Sequence, residues 1–205
     1  GESGIPVSAL FPHISQHVDK MAFVRSMTSK FSEHTFANYF LHTGHGIQGR
    51  PSTGSWVTYA LGSECRNLPG FIVLNGGLTP PGGLDNFNSG YLPATYQASI
   101  FQPGASPVAN IPTHSKNIAL QRHKLRLIRE LDEKYRDQSG DTDALEAAIA
   151  NYEMAARMQT AVPDLADLSG ETKATQEMYG LDAPFANTRR YGRICLLARR
   201  LVERG

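Results

Sequence analysis

Residues 31–56 hold the side chains of this sequence that are best suited to chemistry. Three of the seven histidines lie there, with several hydroxyl groups, one carboxylate and one guanidinium. Imidazole titrates near neutral pH and can act as nucleophile, base or metal ligand. This combination is typical of a site that binds a tetrahedral anion. The alternative is a hydrogen-bonded corner between a strand, a loop and a helix. The members are Ser32, Glu33, His34, Thr35, His42, Thr43, His45, Arg50 and Ser52.

Two other patterns match known motifs by spacing alone. The glycines of residues 44–49 match G-x-G-x-x-G, but that motif follows a strand and opens a helix. Here a predicted helix precedes the glycines and Pro51 follows them. His13 and His17 have the spacing of a metal pair on a helix, yet no H-E-x-x-H pattern is present. We therefore expect neither a dinucleotide site nor a complete metal site here. The absence of a G-x-S-x-G elbow also argues against an ordinary serine esterase.

The composition is that of an ordinary globular protein and excludes two classes of function. The 205 residues, 40% of them hydrophobic and 19% charged, suit one domain or most of one. The formal net charge of +1 lacks the basic excess of a nucleic-acid binder, so we expect no nucleic-acid partner. No run approaches the roughly 18 apolar residues of a membrane span, so we expect none.

The first 75 residues combine helical and strand patterns, which indicates an α/β segment. Apolar residues at helical spacing predict three helices, and short apolar runs bounded by turn residues predict two strands. Gly44 and Gly62 follow two of these helices and predict their ends. The predicted helices cover residues 7–20, 33–42 and 52–61, and the predicted strands cover 21–27 and 71–74.

Residues 76–114 differ from both flanking segments because Gly, Pro, Asn and Ser are dense in them. A loop of this length is too long to be a simple connector. It is either a surface excursion or a lid over a substrate, and a lid would present Asn86, Asn88, Tyr91 and Tyr96.

Residues 115–205 are predicted to be helical, so residues 1–205 form a single partial domain of three segments. Predicted helices cover residues 119–135, 143–162, 169–179 and 188–204, with Pro163 ending the second. The last helix places four arginines opposite its predicted apolar face, either as a solvated outer face or as an anion site. The predicted apolar face is Tyr191, Ile194, Cys195, Ala198, Leu201 and Val202; the arginines are Arg189, Arg193, Arg200 and Arg204.

An ordered set of motifs resembles one family along essentially the whole chain. It is the sulfatase-like family catalogued as domain of unknown function 1501, in the alkaline phosphatase superfamily. The most specific segments are residues 49–62 and the closing run 195–205. The other motifs are Leu10-Phe-Pro-His-Ile14, Phe23-Val-Arg-Ser-Met27, His42-Thr-Gly44, Asn67-Leu-Pro-Gly-Phe71, Ser89-Gly-Tyr-Leu-Pro93, Tyr96-Gln97, Tyr152-Glu153 and Arg157-Met-Gln159.

The resemblance implies the central part of an α/β/α sandwich with a helix-rich C-terminal half. Members of this superfamily hydrolyse sulfate or phosphate esters, usually with a divalent metal such as zinc, calcium or magnesium. The resemblance further implies an incomplete central segment that is inactive alone, with the metal ligands outside it. It implies a periplasmic or secreted protein and a small-molecule or glycan ester as substrate.

The resemblance also implies roles for individual residues, although the chain departs from formylglycine sulfatases. Those enzymes carry C/S-x-P-x-R about nine residues before a turn like Thr43-Gly44, and here His34 stands at that place. His34 would be the nucleophile, the base or a metal ligand, with Ser32 or Thr35 as alternative nucleophiles. The predicted substrate-binding residues are Arg50, Ser52, Asn86, Asn88 and Tyr91.

A second hypothesis follows from the missing sulfatase motif and the long loop: a non-catalytic protein that binds an anionic polysaccharide on the same scaffold. A third is a purely structural segment in which His34 is a buried polar residue.

Overall fold

The computed structural model describes residues 2–104, 106–109, 111, 118–139 and 143–205. It divides into two compact units, Gly1–Lys30 and Phe31–Gly205. The protein is mixed but helix-rich, about 52% helical with one small parallel sheet. This agrees with the predicted α/β class and its helix-rich C-terminal half.

The first unit contains one short 3-10 helix, Ile14–Lys20, instead of the helix predicted over residues 7–20. The strand predicted over residues 21–27 is wrong, because this segment is irregular. A strand forms only where its backbone groups pair with a neighbour. Two of its apolar side chains, Val24 and Met27, are largely exposed.

The second unit begins with two capped helices, α1 (His34–Thr43) and α2 (Thr53–Leu61). Both match predicted helices to within one residue. Gly44 ends α1 in a left-handed conformation with φ 73°, and Gly62 ends α2 with the same φ. The sequence therefore predicted both helix ends for the correct physical reason, since residues without a β carbon adopt positive φ without strain.

The sheet consists of two parallel strands, β1 (Ile72–Leu74) and β2 (Ser99–Phe101). β1 confirms the strand predicted over residues 71–74. β2 lies inside the predicted loop 76–114, so the prediction of a strandless loop is wrong there. β1 belongs to an apolar run bounded by turn residues on both sides, whereas β2 contains only two consecutive apolar residues, Ile100 and Phe101, between Ser99 and Gln102. Two 3-10 turns, Gly83–Phe87 and Ala94–Tyr96, also lie between the strands.

Four helices make up the last part: α3 (Ile118–Ser139), α4 (Asp143–Ala166), α5 (Lys173–Met178) and α6 (Ala186–Val202). The prediction that Pro163 ends the second of them is wrong, because α4 continues to Ala166. Val162 and Leu165 on either side of the proline are buried in the core. Their packing holds the helical turn that the proline alone disfavours.

The core joins the sheet to α4 and α6. Phe101 at the end of β2 is fully buried, and residues from both helices surround it. The buried cluster is Leu68, Phe101, Ile111, Met158, Val162, Leu165 and Leu197.

The predicted apolar face of α6 is correct only in part, since Ile194, Cys195, Ala198 and Leu201 are half-buried. Tyr191 and Val202 were placed on the apolar face but are 70% and 80% exposed, whereas Leu196 and Leu197 are buried.

All four arginines contact the chain instead of forming a solvated stripe or an anion site. Arg189 donates to the carbonyls of Ala183 and Pro184, and the other three reach the end of α4 or the residues near it.

These arginine contacts fix the C-terminal end of α4. Arg200 pairs with Glu171 at 2.6 Å and donates to the Asp164 carbonyl, and Arg204 pairs with the Asp164 carboxylate. Arg193 donates to the carbonyl of Ala166. Cations at the last carbonyls of a helix satisfy free acceptors and complement the helix dipole.

Candidate functional site

The N-terminus of α1 carries the three predicted catalytic residues. Glu33 caps the helix, because its carboxylate accepts hydrogen bonds from the amides of Thr35 (2.8 Å) and Phe36 (3.1 Å). These hydrogen bonds hold the pKa of Glu33 below its ordinary value. His34 is the first helical residue and is exposed, Ser32 is exposed just before it, and Thr35 is half-buried.

This arrangement gives His34 freedom to react. Its side chain faces solvent at the positive end of a helix dipole, a place that favours negative charge. The carboxylate of Glu33, however, already occupies two of the amides that an anion would use. An incoming anion would therefore have to displace Glu33 or bind beside it.

The N-terminus of α2 forms a buried corner with the chain near Asn88. The Ser52 hydroxyl accepts from the Ser55 amide (3.5 Å) and shares a hydrogen bond with the Ser55 hydroxyl (3.0 Å). The Ser52 amide and the Ser55 hydroxyl both donate to the Asn88 carbonyl, at 3.0 and 3.1 Å. Both serines are buried, so in this structure Ser52 holds the corner together.

Gly90 packs against the backbone of Arg50 and Pro51 at this corner, and Tyr91 follows it in the chain. The φ of Gly90 is +58°, and a β carbon there would lie 2.5 Å from the nitrogen of Pro51. The two chain segments can touch only because residue 90 lacks a side chain. Arg50 and Tyr91 both have exposed side chains.

The two predicted asparagines stabilise the loop itself. The amide of Asn86 is fully buried and donates to the carbonyls of Pro81 (3.0 Å) and Gly83 (2.9 Å). Its carbonyl oxygen is buried without a described partner. Asn88 donates to the carboxylate of Asp85 at 2.7 Å. Asn86 is thus placed to define the turn, and its role as a substrate contact stays a prediction.

His42 links α1 to this loop from the opposite end of the helix. Its ring lies 5.0 Å from the ring of Phe87 in an edge-on contact, and its carbonyl accepts from the Thr53 hydroxyl at 3.0 Å. Burial lowers the pKa of His42, because removal of water disfavours the charged ring. His42 therefore favours the neutral form at neutral pH.

The predicted site residues accordingly form two groups. Ser32, His34 and Thr35 lie at the start of α1, whereas Arg50, Ser52, Asn88 and Tyr91 lie around the start of α2 and Asn86 lies in the turn Gly83–Phe87. His34 and His42 are about 12 Å apart along the axis of α1, at 1.5 Å per residue. Within the described residues, no hydrogen bond, ion pair or ring contact joins the two groups.

Comparison with protein families identifies the chain over its whole length. A model of the family described as "Protein of unknown function (DUF1501)" matches residues 1–205. The chain belongs to this family. Comparisons with characterised proteins and with solved structures each returned no match.

The described part of this DUF1501 chain does not contain the ligand set of a metal centre. Within it, no group of three or more His, Cys, Asp or Glu side chains is placed to hold a metal ion. His34 could supply one ligand, but its neighbour Glu33 is engaged in capping α1. The residues present do not fit a complete metal centre. Among the described helices, none is long and apolar enough to cross a membrane.

The structure also shows a row of aromatic rings that the sequence reasoning missed. Tyr91, Trp56, Tyr59 and Tyr96 follow one another with centroid distances of 6.0, 6.0 and 5.2 Å, each pair edge to face. Trp56 and Tyr59 are three residues apart on α2 and therefore share one face. The spacing of Trp56 and Tyr59 on a predicted helix was the signal in the sequence that could have revealed the row, whereas only Tyr91 and Tyr96, in the loop, were predicted to face a substrate.

Proposed function

We propose that this DUF1501 segment belongs to a hydrolase of sulfate or phosphate esters that acts in the periplasm or outside the cell. The observation that carries the proposal is the exposed imidazole of His34 at the N-terminus of α1, flanked by the hydroxyls of Ser32 and Thr35. The family resemblance adds the reaction class and the α/β/α sandwich as the complete scaffold.

In this proposal, His34 attacks the phosphorus or sulfur atom and displaces the alcohol of the ester, and water then hydrolyses the covalent intermediate; alternatively, His34 removes the proton of an attacking hydroxyl that displaces the same alcohol. Both roles need an accessible imidazole, and His34 is accessible. The helix dipole of α1 favours the negative charge of the ester group. Ser32 and Thr35 are the alternative nucleophiles, and Ser32 is the more accessible of the two.

The predicted substrate-binding residues differ in how accessible their side chains are to a ligand. Arg50 is exposed and has no described carboxylate partner, so its guanidinium is available to a sulfate or phosphate group. Tyr91 is also exposed and follows Gly90, which packs against the Arg50 backbone. Ser52 is buried in the corner and Asn86 in its own turn, so both act through the shape of the chain around them.

The metal dependence is proposed for the complete protein only. The described residues lack a complete ligand set, so zinc, calcium or magnesium would need ligands from outside them. We expect the 205-residue chain alone to be inactive.

The reaction class is tested by turnover. Aryl phosphates and aryl sulfates are incubated with the protein at its natural length and with the 205-residue chain, with and without chelator. We expect cleavage by the long form that chelator abolishes and added divalent metal restores. Absence of turnover across a broad ester panel would reject the hydrolase.

A second candidate is a non-catalytic protein that binds an anionic polysaccharide. It is favoured by the capping of α1, since Glu33 already occupies two amides that a reacting anion would need. Retained polysaccharide binding by His34→Ala, with no turnover in the wild type, would support this candidate. Loss of a measured activity in His34→Ala would reject it.

A further inference from the structure

We propose that the aromatic row of Tyr91, Trp56, Tyr59 and Tyr96, with Arg50 at its Tyr91 end, is a binding platform for an acidic glycan chain. The proposal concerns binding and requires no turnover. It names the surface and the ligand class that either candidate function would use. Its test therefore fails or succeeds separately from the test of hydrolysis.

The rings form one continuous surface that faces solvent. Trp56 is 41%, Tyr59 50% and Tyr91 62% exposed, and Tyr96 is half-buried. The faces of aromatic rings carry partial negative charge. The C–H groups on the face of a sugar ring carry partial positive charge, so successive sugars can stack along such a row. Tyrosine hydroxyls and the Trp56 indole N–H can also bond to sugar hydroxyls.

The row is held on a rigid frame, which reduces the entropy lost on binding. Trp56 and Tyr59 lie on α2, whose N-terminus is fixed by the buried Ser52–Ser55–Asn88 hydrogen bonds. Tyr91 follows Gly90, whose backbone packs directly against the backbone of Arg50 and Pro51. The rings are therefore presented in one arrangement before a ligand arrives.

The positive charge of Arg50 favours an acidic glycan over an apolar protein partner. The backbone of Arg50 packs against Gly90, the residue before Tyr91, so its exposed side chain starts next to the Tyr91 end of the row, and no described carboxylate pairs with it. A purely apolar partner would bury this charge at a high cost. A chain with sulfate or carboxylate groups neutralises it and satisfies its fork of donors. The combination of stacked rings and one unpaired cation thus matches an acidic polysaccharide.

The test measures binding of the 205-residue chain to dextran sulfate and to unsulfated dextran by calorimetry. Trp56→Ala and Tyr91→Ala remove rings, and Arg50→Gln removes the charge. Matched controls lie on α3, where Tyr135 is also 62% exposed and Arg122 is exposed. Circular dichroism verifies that each variant folds. If Trp56→Ala unfolds, Tyr91→Ala still tests the loss of a ring, because Tyr91 lies outside α2.

We expect dextran sulfate to bind about tenfold more weakly to each ring variant, the effect of losing one aromatic contact. Arg50→Gln should lower affinity for the sulfated chain only, and Tyr135→Ala and Arg122→Gln should bind like the wild type. Equal losses in Arg50→Gln and Arg122→Gln would show non-specific charge attraction and overturn the proposal. No binding by the wild type, or self-association abolished by Trp56→Ala, would overturn it as well.

Discussion

Gly90 and Gly83 both have a left-handed backbone, but only Gly90 is enclosed by other atoms. A β carbon at Gly90 (φ +58°) would lie 2.5 Å from Pro51 nitrogen, whereas one at Gly83 (φ +66°) would meet nothing within 4 Å. An alanine at Gly83 would therefore suffer backbone strain alone, whereas an alanine at Gly90 would suffer backbone strain and a steric clash with Pro51.

We predict that Gly83→Ala lowers the free energy of unfolding by about 1–2 kcal/mol, the cost of a left-handed alanine. Gly90→Ala should cost clearly more, because the Pro51 backbone must also move. Urea unfolding of both variants measures the difference. Equal losses would show that the Gly90 contact does not hold the corner.

His42 should make stability depend on pH. Burial lowers the pKa of His42 in the folded protein below its ordinary value of 6.5. At a pH just below 6.5, the unfolded chain therefore binds more protons at this residue than the folded protein does. The contribution of neutral His42 is therefore present above about pH 6.5 and is lost as the pH falls through the lowered pKa.

The measurement compares the free energy of unfolding at pH 5.5 and 7.5 for the wild type and His42→Gln. We expect the loss at low pH to be smaller in His42→Gln. His34→Gln, at the exposed end of the same helix, is the control for replacing a histidine. An unchanged pH dependence in His42→Gln would contradict the account.

At the scale of elements, the two arginines next to each other on α6 differ in surroundings. Arg200 and Glu171 retain only 12% and 14% side-chain exposure, while Arg199 and Glu203 retain 42% and 51%. Removing one partner of a buried pair leaves a buried charge, whereas exposed pairs contribute little.

We predict that Arg200→Met lowers the free energy of unfolding by about 3 kcal/mol. Arg199→Met should have little effect, because its pair is exposed to water. Chemical denaturation of the two variants decides the point. A similar effect of both would show that Arg200 does not fix the C-terminal end of α4.

Local signals predicted some elements well and others poorly. Apolar residues at helical spacing and terminal glycines placed α1 and α2 correctly, because both signals lie within or directly after each helix. The strand predicted at residues 21–27 and the stop at Pro163 were wrong, and so were two residues, Tyr191 and Val202, of the predicted apolar face of α6. Each of these depends on distant residues: a pairing strand, the core around Val162, or the carboxylate of Glu171.

At the scale of the whole molecule, the sequence indicated the class of fold but not the arrangement of the site. The mixed, helix-rich character was predicted, and the second strand β2 was not. The candidate residues within 31–56 were predicted as one cluster, yet the structure places Ser32, His34 and Thr35 at the start of α1 and Arg50 and Ser52 at the start of α2. Proximity in sequence could not show this, because the ten-residue helix α1 lies between the two groups of residues.

The central claim is that His34 is the reactive group of an ester hydrolase. The most direct measurement is kcat/KM for an aryl phosphate and an aryl sulfate in the natural-length protein and its His34→Ala variant. His123→Ala, an exposed histidine on α3, is the control. We predict a loss of at least about 100-fold in His34→Ala, the effect of removing a positioned base, and none in His123→Ala. Equal activity of both variants would contradict the claim and leave His34 an ordinary surface histidine.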